Sequence, residues 1–306
     1  MYRKIIALIT VFIITFSLSA CNNKKTNEVN NSEGEKIDVV VSFNPLKEFT
    51  EAIGKDKVNV ITVIQGGIEP HDFEPKAKDL GNINSGKIFV YNGLEMEPWV
   101  DKVLESINNK EVILVDSSKG VNAIKSIQKE EGEDEQHGDY DPHIWLSLKE
   151  AKVQSNNIKE ALIKADASNK DYYNKNYEEF LEELDNLYNE YKNKFDKVSN
   201  KKFVTGHAAF SYLCRDFNLE QNSIEGVYSE GEPSAKKLRE LVDYAKKNEV
   251  KTIFAEENAS PQVSNTLARE VGAKVEKIYS LEIKEDNKDY IQSMRDNLEK
   301  IYISLK

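Results

Sequence analysis

The stretch Asn169-Lys-Asp-Tyr-Tyr-Asn-Lys-Asn-Tyr-Glu-Glu-Phe-Leu-Glu-Glu-Leu-Asp-Asn-Leu-Tyr-Asn-Glu-Tyr-Lys-Asn-Lys-Phe-Asp-Lys197 contains neither glycine nor proline. Within it Tyr173, Tyr177, Phe180, Leu184, Leu187, Tyr191 and Phe195 recur at steps of three or four. That period predicts one amphipathic helix of roughly 27 residues, about 40 Å long. A coiled coil is a poorer reading, because the heptads are few and their seam is rich in tyrosine. A long helix lying across two α/β lobes fits better.

On either side, short apolar runs alternate with helix-period segments. The expected strands are Ile37–Phe43, Val58–Ile64, Ile88–Tyr91 and Val112–Val115 before the helix, then Lys202–Thr205, Thr252–Ala255 and Val275–Tyr279 after it, with a weaker one near Asn222–Glu225. Leu46–Ile53, Pro98–Asn108, Ala235–Lys247 and Gln262–Val271 carry helical spacing. Such alternation predicts parallel sheets covered by helices. The expected division is an N-terminal α/β lobe over residues 37–166, a linking helical region over 167–200 and a C-terminal α/β lobe over 201–306.

The chain opens with Met1-Tyr2-Arg3-Lys4, an apolar run from Ile5 to Phe16, and Leu18-Ser19-Ala20-Cys21. A basic head, an apolar core and a small-residue cleavage site make a secretory signal over residues 1–21. The core is shorter than the roughly 20 residues that span a bilayer. Leu-Ser-Ala-Cys resembles a bacterial lipobox, in which Cys21 becomes the acylated first residue. An ordinary signal with a coincidental cysteine and an uncleaved anchor are the alternatives. Residues 22–36 are almost free of apolar side chains and read as a flexible tether. Extracytoplasmic placement, with a lipid anchor in a bacterial cell membrane, is the expectation.

The net charge is −11, and loss of Arg3 and Lys4 with the leader takes it to −13. An acidic chain is a poor partner for nucleic acid and a better one for cations. Of two cysteines, Cys21 is assigned to lipid, so Cys214 has no partner for a disulfide. Its setting, Phe210-Ser-Tyr-Leu-Cys-Arg-Asp-Phe217, makes it a small core residue on a helix. About 270 residues from Ile37 onward are enough for packed cores without crosslinks.

Only four histidines are present. His71 lies in Gly66-Gly-Ile-Glu-Pro-His-Asp-Phe-Glu-Pro75, His143 in Asp139-Tyr-Asp-Pro-His-Ile-Trp-Leu-Ser147, and His207 just after Lys201-Lys-Phe-Val-Thr-Gly206. His71 and His207 fall at the carboxyl ends of expected strands, and His143 precedes a helix. Proline and glycine stiffen or turn each loop. Open parallel sheets bind ligands at that edge, so the three imidazoles can converge on one crevice. A hydrogen-bonded loop histidine is the ordinary reading of any one of them. His137 differs: it sits in Glu130-Glu-Gly-Glu-Asp-Glu-Gln-His-Gly-Asp139, a solvated acidic loop that could at most collect cations weakly.

Taken together and in order, Glu69-Pro-His-Asp-Phe-Glu-Pro75, Tyr91-Asn-Gly-Leu-Glu95, Asp141-Pro-His-Ile-Trp-Leu146, Thr205-Gly-His-Ala-Ala-Phe210 and Phe254-Ala-Glu-Glu257 resemble the solute-binding lipoproteins of zinc and manganese ABC importers. The resemblance runs over essentially the whole chain after the tether. It implies two Rossmann-like lobes joined by one long rigid helix, metal held between them, modest closure, and a monomer that docks on an ABC transporter membrane permease. It also implies ligand roles for His71, His143 and His207. The stretch where manganese-type members carry a fourth, aspartate ligand reads Lys277-Ile-Tyr-Ser-Leu-Glu282 here, with Tyr279 in the aspartate place. Glu282 matches the zinc-type pattern and is the expected fourth ligand. Glu256 and a water molecule are the alternatives, and Glu69 and Asp72 are candidates to hold the imidazole of His71.

Three imidazoles and one carboxylate suit four-coordinate Zn²⁺, whereas Mn²⁺ favours more oxygen and more ligands. Neutral imidazole is the ligand form, so affinity is expected to fall as pH drops through roughly 6.5. High-affinity Zn²⁺ binding and delivery is therefore the expected function, with Mn²⁺ or another divalent metal as the alternative cargo. A zinc hydrolase is a further alternative, but no His-Glu-x-x-His or Gly-x-Ser-x-Gly is present. A surface adhesin displaying its acidic face is another.

Overall fold

The computed structural model describes residues 36–66, 68–126, 138–228, 233–257 and 261–306. The signal, Cys21, nearly all of the tether and His137 lie outside these residues.

Strand β1 (Ile37–Val41) is flanked by β2 (Val58–Thr62) and β3 (Ile88–Tyr91), and β4 (Ile113–Asp116) pairs with β3, giving the order β2-β1-β3-β4. All pairs are parallel, with Val39 opposite Val60 and Ile88. In the second sheet β5 (Lys202–Thr205) lies between β6 (Glu220–Ser223) and β7 (Thr252–Ala255), and β8 (Lys274–Lys277) follows β7. Its order, β6-β5-β7-β8, repeats the first topology and is again parallel. Both sheets reverse strand order beside their first strand, so each has a crevice at its carboxyl edge there. The central strands are covered on both faces, and Val39, Val40 and Val41 are fully buried. That is why β1 is an unbroken apolar run rather than an alternating one.

Helix α1 (Asn44–Gly54) returns the chain from β1, α2 (Ala77–Ser85) precedes β3, and α3 (Val100–Ser106) precedes β4. Between β4 and the second sheet come α4 (Leu148–Ala165) and α5 (Lys170–Phe195). The C-terminal lobe adds α6 (Ser211–Phe217), α7 (Ala235–Lys247), α8 (Pro261–Val271) and α9 (Tyr290–Ser304). Ser147 caps α4 by accepting from the N–H groups of Lys149 and Glu150, which satisfies donors the first turn leaves open.

The long helix is continuous over 26 residues, or about 39 Å at 1.5 Å per residue. It packs against α1 and α4 in one half and against α6 and α9 in the other. Phe180 meets Phe49 of α1 with ring centroids 5.8 Å apart, and Tyr188 and Phe195 meet Phe217 of α6 at 5.2 and 5.3 Å. Asn176 donates to the carbonyl of Ile53 at 2.8 Å, a group left open at the end of α1. One hydrophobic cluster runs from Val39, Leu46 and Phe49 through Phe180, Leu184 and Leu187 to Phe203, Phe254 and Leu298. The far face of the second sheet has a separate smaller cluster, with Val204 and Ile253 packed against Leu241 and Leu267. Successive strand residues point to opposite faces, so Phe203 and Phe254 belong to the shared core while Val204 and Ile253 belong to the other.

The sequence expectation misses α2 and α9. Tyr290, Met294, Leu298 and Ile301 of α9 do recur at helical spacing, and Asp289 with Gln292 closes a capping box. β6 lies two residues earlier than expected, because the polar edge strand Glu-Gln-Asn-Ser offers no apolar period. β8 ends at Lys277, so Tyr279 belongs to the irregular segment that follows. Cys214 is a buried residue of α6, as its setting suggested.

Because Leu187 is fully buried at the centre of the shared core, Leu187→Ala is expected to destabilise the protein by about 2–5 kcal/mol. Urea denaturation followed by circular dichroism checks this, and a loss below the range would mean the site collapses around the deletion.

Candidate metal centre

His71 sits in a short 3-10 turn, Pro70–Asp72, beyond the end of β2. Phe73 anchors the turn by packing against Trp99 at 5.8 Å. His143 follows Asp141-Pro142 and begins another 3-10 turn, Ile144–Leu146, whose three side chains are fully buried. The Pro142 carbonyl accepts from Asn92 at 2.9 Å, and Asp141 N–H donates to Ile124 at 2.9 Å. His207 leaves the end of β5 through Gly206. Its carbonyl accepts from Thr205 Oγ1 at 2.6 Å and Gln221 Nε2 at 2.7 Å.

These three loops, two from the N-terminal lobe and one from the C-terminal lobe, bring the imidazoles together. Ring centroids are 5.5 Å apart for His71 and His143, 6.4 Å for His71 and His207, and 4.7 Å for His143 and His207. Among the described residues this is the one group of three or more His, Cys, Asp or Glu whose ligand atoms all lie within 4.8 Å of one another. Nitrogens bound to one Zn²⁺ at about 2.0–2.1 Å lie about 3.4 Å apart in a tetrahedron, so imidazoles within 4.8 Å need only a small inward movement to share one ion.

Hydrogen bonds select the ring nitrogens. Asp141 Oδ1 accepts from the backbone N–H and from Nδ1 of His143, at 2.9 and 2.8 Å. Nε2 of His143 is left buried and without a hydrogen bond among the described residues, so its lone pair faces the cluster. His207 Nε2 donates to the Val227 carbonyl at 2.7 Å. A carbonyl only accepts, so Nδ1 of His207 holds the lone pair. Desolvation, and then the neighbouring His143, push His207 down to about 3. Proton uptake by this imidazole is thus held well below its ordinary range.

Glu282 and Glu256 lie outside the 4.8 Å group. Both are buried, and Glu282 Oε1 and Glu256 Oε2 have no hydrogen bond among the described residues. Glu256 follows β7 and accepts from His207 N–H at 3.3 Å. Burial raises it to about 8, with a further push from Glu225. Burial also raises Glu282 well above the carboxylate range, helped by the charges of Glu69 and Glu256. Tyr279 turns away: its hydroxyl donates to Asp286 at 2.7 Å and accepts from Lys288 at 2.8 Å. Asp72 is exposed.

Sequence reasoning gave no role to Asp141 or Val227, which orient two imidazoles, although Asp141 lies two residues from His143 and offered a signal. It also gave none to Glu97. This buried carboxylate accepts from Ser42, Asn92 and Gly93 and closes the Tyr91–Glu95 loop, where Gly93, Leu94 and Glu95 all have positive φ. Beside that loop a cavity of about 630 Å³ is lined by His71, Glu95, Asp101, Asp116 and Tyr228, among others.

The family model described as zinc-uptake complex component A, periplasmic (ZnuA), matches residues 39–303. The chain belongs to the ZnuA family. It is 38% identical over 321 residues to the high-affinity zinc uptake system protein ZnuA of Bacillus subtilis, covering 100% of this chain and 99% of that one. It is 40% identical to a putative metal-binding protein of Treponema pallidum, over 94% and 93% of the two chains. The laminin-binding protein of Streptococcus agalactiae, titled a bifunctional protein with adhesin and metal transporting activity, superposes with a TM-score of 0.79. That match has 36% identity and covers 88% of this chain and all of that one. ZnuA-family membership agrees with the two parallel-sheet lobes and the long helix.

The buried groups of this ZnuA-family site set opposite pH slopes for the metal-free protein. His207 is neutral when folded down to about 3, against an ordinary 6.5, so the unfolded chain takes up the proton first and stability falls as pH drops from 6.5. Glu256 is protonated when folded up to about 8, against an ordinary 4.5. Its contribution is full below 4.5 and is lost as pH rises through 8. His207→Gln is expected to flatten the acid side of the stability profile and Glu256→Gln the alkaline side. Urea unfolding of metal-free protein between pH 4 and 9 reads both, and unchanged slopes would contradict the assignment.

Proposed function

We propose that this protein binds Zn²⁺ outside the cytoplasm and delivers it to the permease of an ABC importer, without chemical turnover. The observation that carries the reading is the convergence of three buried or half-buried imidazoles from two lobes within 4.8 Å. His71, His143 and His207 are the nitrogen ligands in this proposal, with Glu282 as the fourth and Glu256 as its alternative. Neutral nitrogens with one carboxylate suit Zn²⁺ better than Mn²⁺. The zinc-uptake names of the family and of the Bacillus subtilis relative support the same cargo.

The ion would arrive hydrated and exchange water for imidazole. The cost of that exchange is lowered because Asp141 and Val227 already hold two rings with their lone pairs turned inward. Glu256, raised to about 8 by burial, would lose its proton when the dication approaches, so binding releases protons. Anchoring through acylated Cys21 and the tether at residues 22–36 would keep a monomeric carrier beside its permease. No described helix is long and apolar enough to cross a membrane.

Metal analysis of the purified protein, with competition among Zn²⁺, Mn²⁺, Ni²⁺ and Cu²⁺, tests the cargo. One Zn²⁺ per chain is expected, and preferential Mn²⁺ retention would overturn the zinc assignment. Asp141→Asn is expected to weaken Zn²⁺ binding about 10–100-fold. Titration against a chelator of known affinity measures this, and an unchanged Kd would remove Asp141 from the site.

A further inference from the structure

We propose that Trp145 is a positioning residue for the metal centre, acting through the Ser280–Leu281–Glu282 segment of the opposite lobe. The inference rests on the reading of Glu282 as a ligand. Trp145 is fully buried two residues beyond His143. Its ring lies against those of His143 and Phe43, with centroids 5.2 and 4.8 Å apart. Its one polar atom is used across the lobe boundary: indole Nε1–H donates to the Ser280 carbonyl at 2.8 Å. The Trp145 carbonyl in turn accepts from Tyr290 Oη at 2.7 Å, so the residue is tied to the C-terminal lobe at both ends.

The segment that Trp145 grips has an unusual path. Leu281 has φ +63°, a left-handed conformation that a leucine holds only when its surroundings enforce it. Its side chain is buried, and its carbonyl accepts from Asn44 of the N-terminal lobe at 3.4 Å. Two N-terminal-lobe donors therefore hold consecutive carbonyls on either side of the bend. Immediately past it, Ser280 Oγ donates to Glu282 Oε2 at 3.1 Å. The other oxygen, Oε1, stays buried without a hydrogen bond among the described residues. The indole N–H thus fixes the Ser280 carbonyl, the Ser280 hydroxyl fixes one oxygen of Glu282, and the second oxygen remains for the ion. Through Trp145 the loop bearing His143 sets where a carboxylate of the other lobe stands.

Trp145→Phe keeps an aromatic ring but removes the donor. Zn²⁺ affinity and dissociation rate, and the visible spectrum of bound Co²⁺, are measured for wild type, W145F, E282Q and the double variant. W145F is expected to raise Kd about tenfold, through faster dissociation, and to move the Co²⁺ spectrum toward that of E282Q. In the E282Q background it is expected to add less than about twofold, since residues acting through one another are not additive. Ser280→Ala, which leaves the core intact, is expected to weaken binding in the same non-additive way and serves if W145F fails to fold. An equal loss with and without Glu282, or no loss in W145F and S280A while E282Q weakens binding, would overturn the positioning role alone. Unchanged affinity and spectrum in E282Q would overturn the ligand reading and the positioning role with it.

Discussion

Seven side chains along one face of α5, Tyr173, Asn176, Phe180, Leu184, Leu187, Tyr191 and Phe195, are buried, and they are shared between the lobes. The N-terminal end of the helix packs on α1 and α4 and the C-terminal end on α6 and α9, so one core passes through it. Burying a large apolar side chain contributes roughly 1.5–3 kcal/mol. Swinging one lobe away from the helix would expose several at once. The separation between the two carboxyl edges is therefore set by packing, and the loops on those edges inherit a fixed frame.

Polar contacts across the boundary refine that frame. Ser147 caps α4 and also donates to Asp216 of α6 at 2.6 Å. Arg215 of the same helix reaches the Asn122 carbonyl at 2.6 Å and Glu150 at 2.5 Å. Tyr212 donates to the Asp141 carbonyl at 2.6 Å and accepts from Ile124 N–H at 3.1 Å. The segment that presents His143 is thus held by the lobe it faces as well as by its own. All of these bonds except Arg215 to Asn122 are buried or partly buried, where an unmade hydrogen bond is costly, so they specify one relative placement of the histidines.

The centre itself is electrostatically unsettled without a cation. Two buried carboxyl groups, Glu256 and Glu282, are raised by desolvation and by neighbouring acids, and His207 is lowered by the same burial. Burial thus favours the uncharged form of each. A dication would shift the carboxyl groups toward their ionised forms while leaving imidazole neutral.

Much of this was legible from residue order. The gap-free period from Tyr173 to Phe195 determined the long helix to within two residues at each end, because helical spacing over seven turns has no other cheap explanation. The apolar runs of β1, β3 and β7 declared buried parallel strands, and turn-rich contexts marked His71, His143 and His207. The sequence could not show which nitrogen of each ring faces the centre, since the partners are Asp141, which is near in sequence, and Val227, which is twenty residues from His207. It could not show that the Tyr279 hydroxyl is engaged by Asp286 and Lys288, or that Trp145 grips a carbonyl 135 positions away. Local pattern determines elements and loops, because propensity and burial act over a few residues. Ligand geometry is decided by contacts between elements that only tertiary packing brings together.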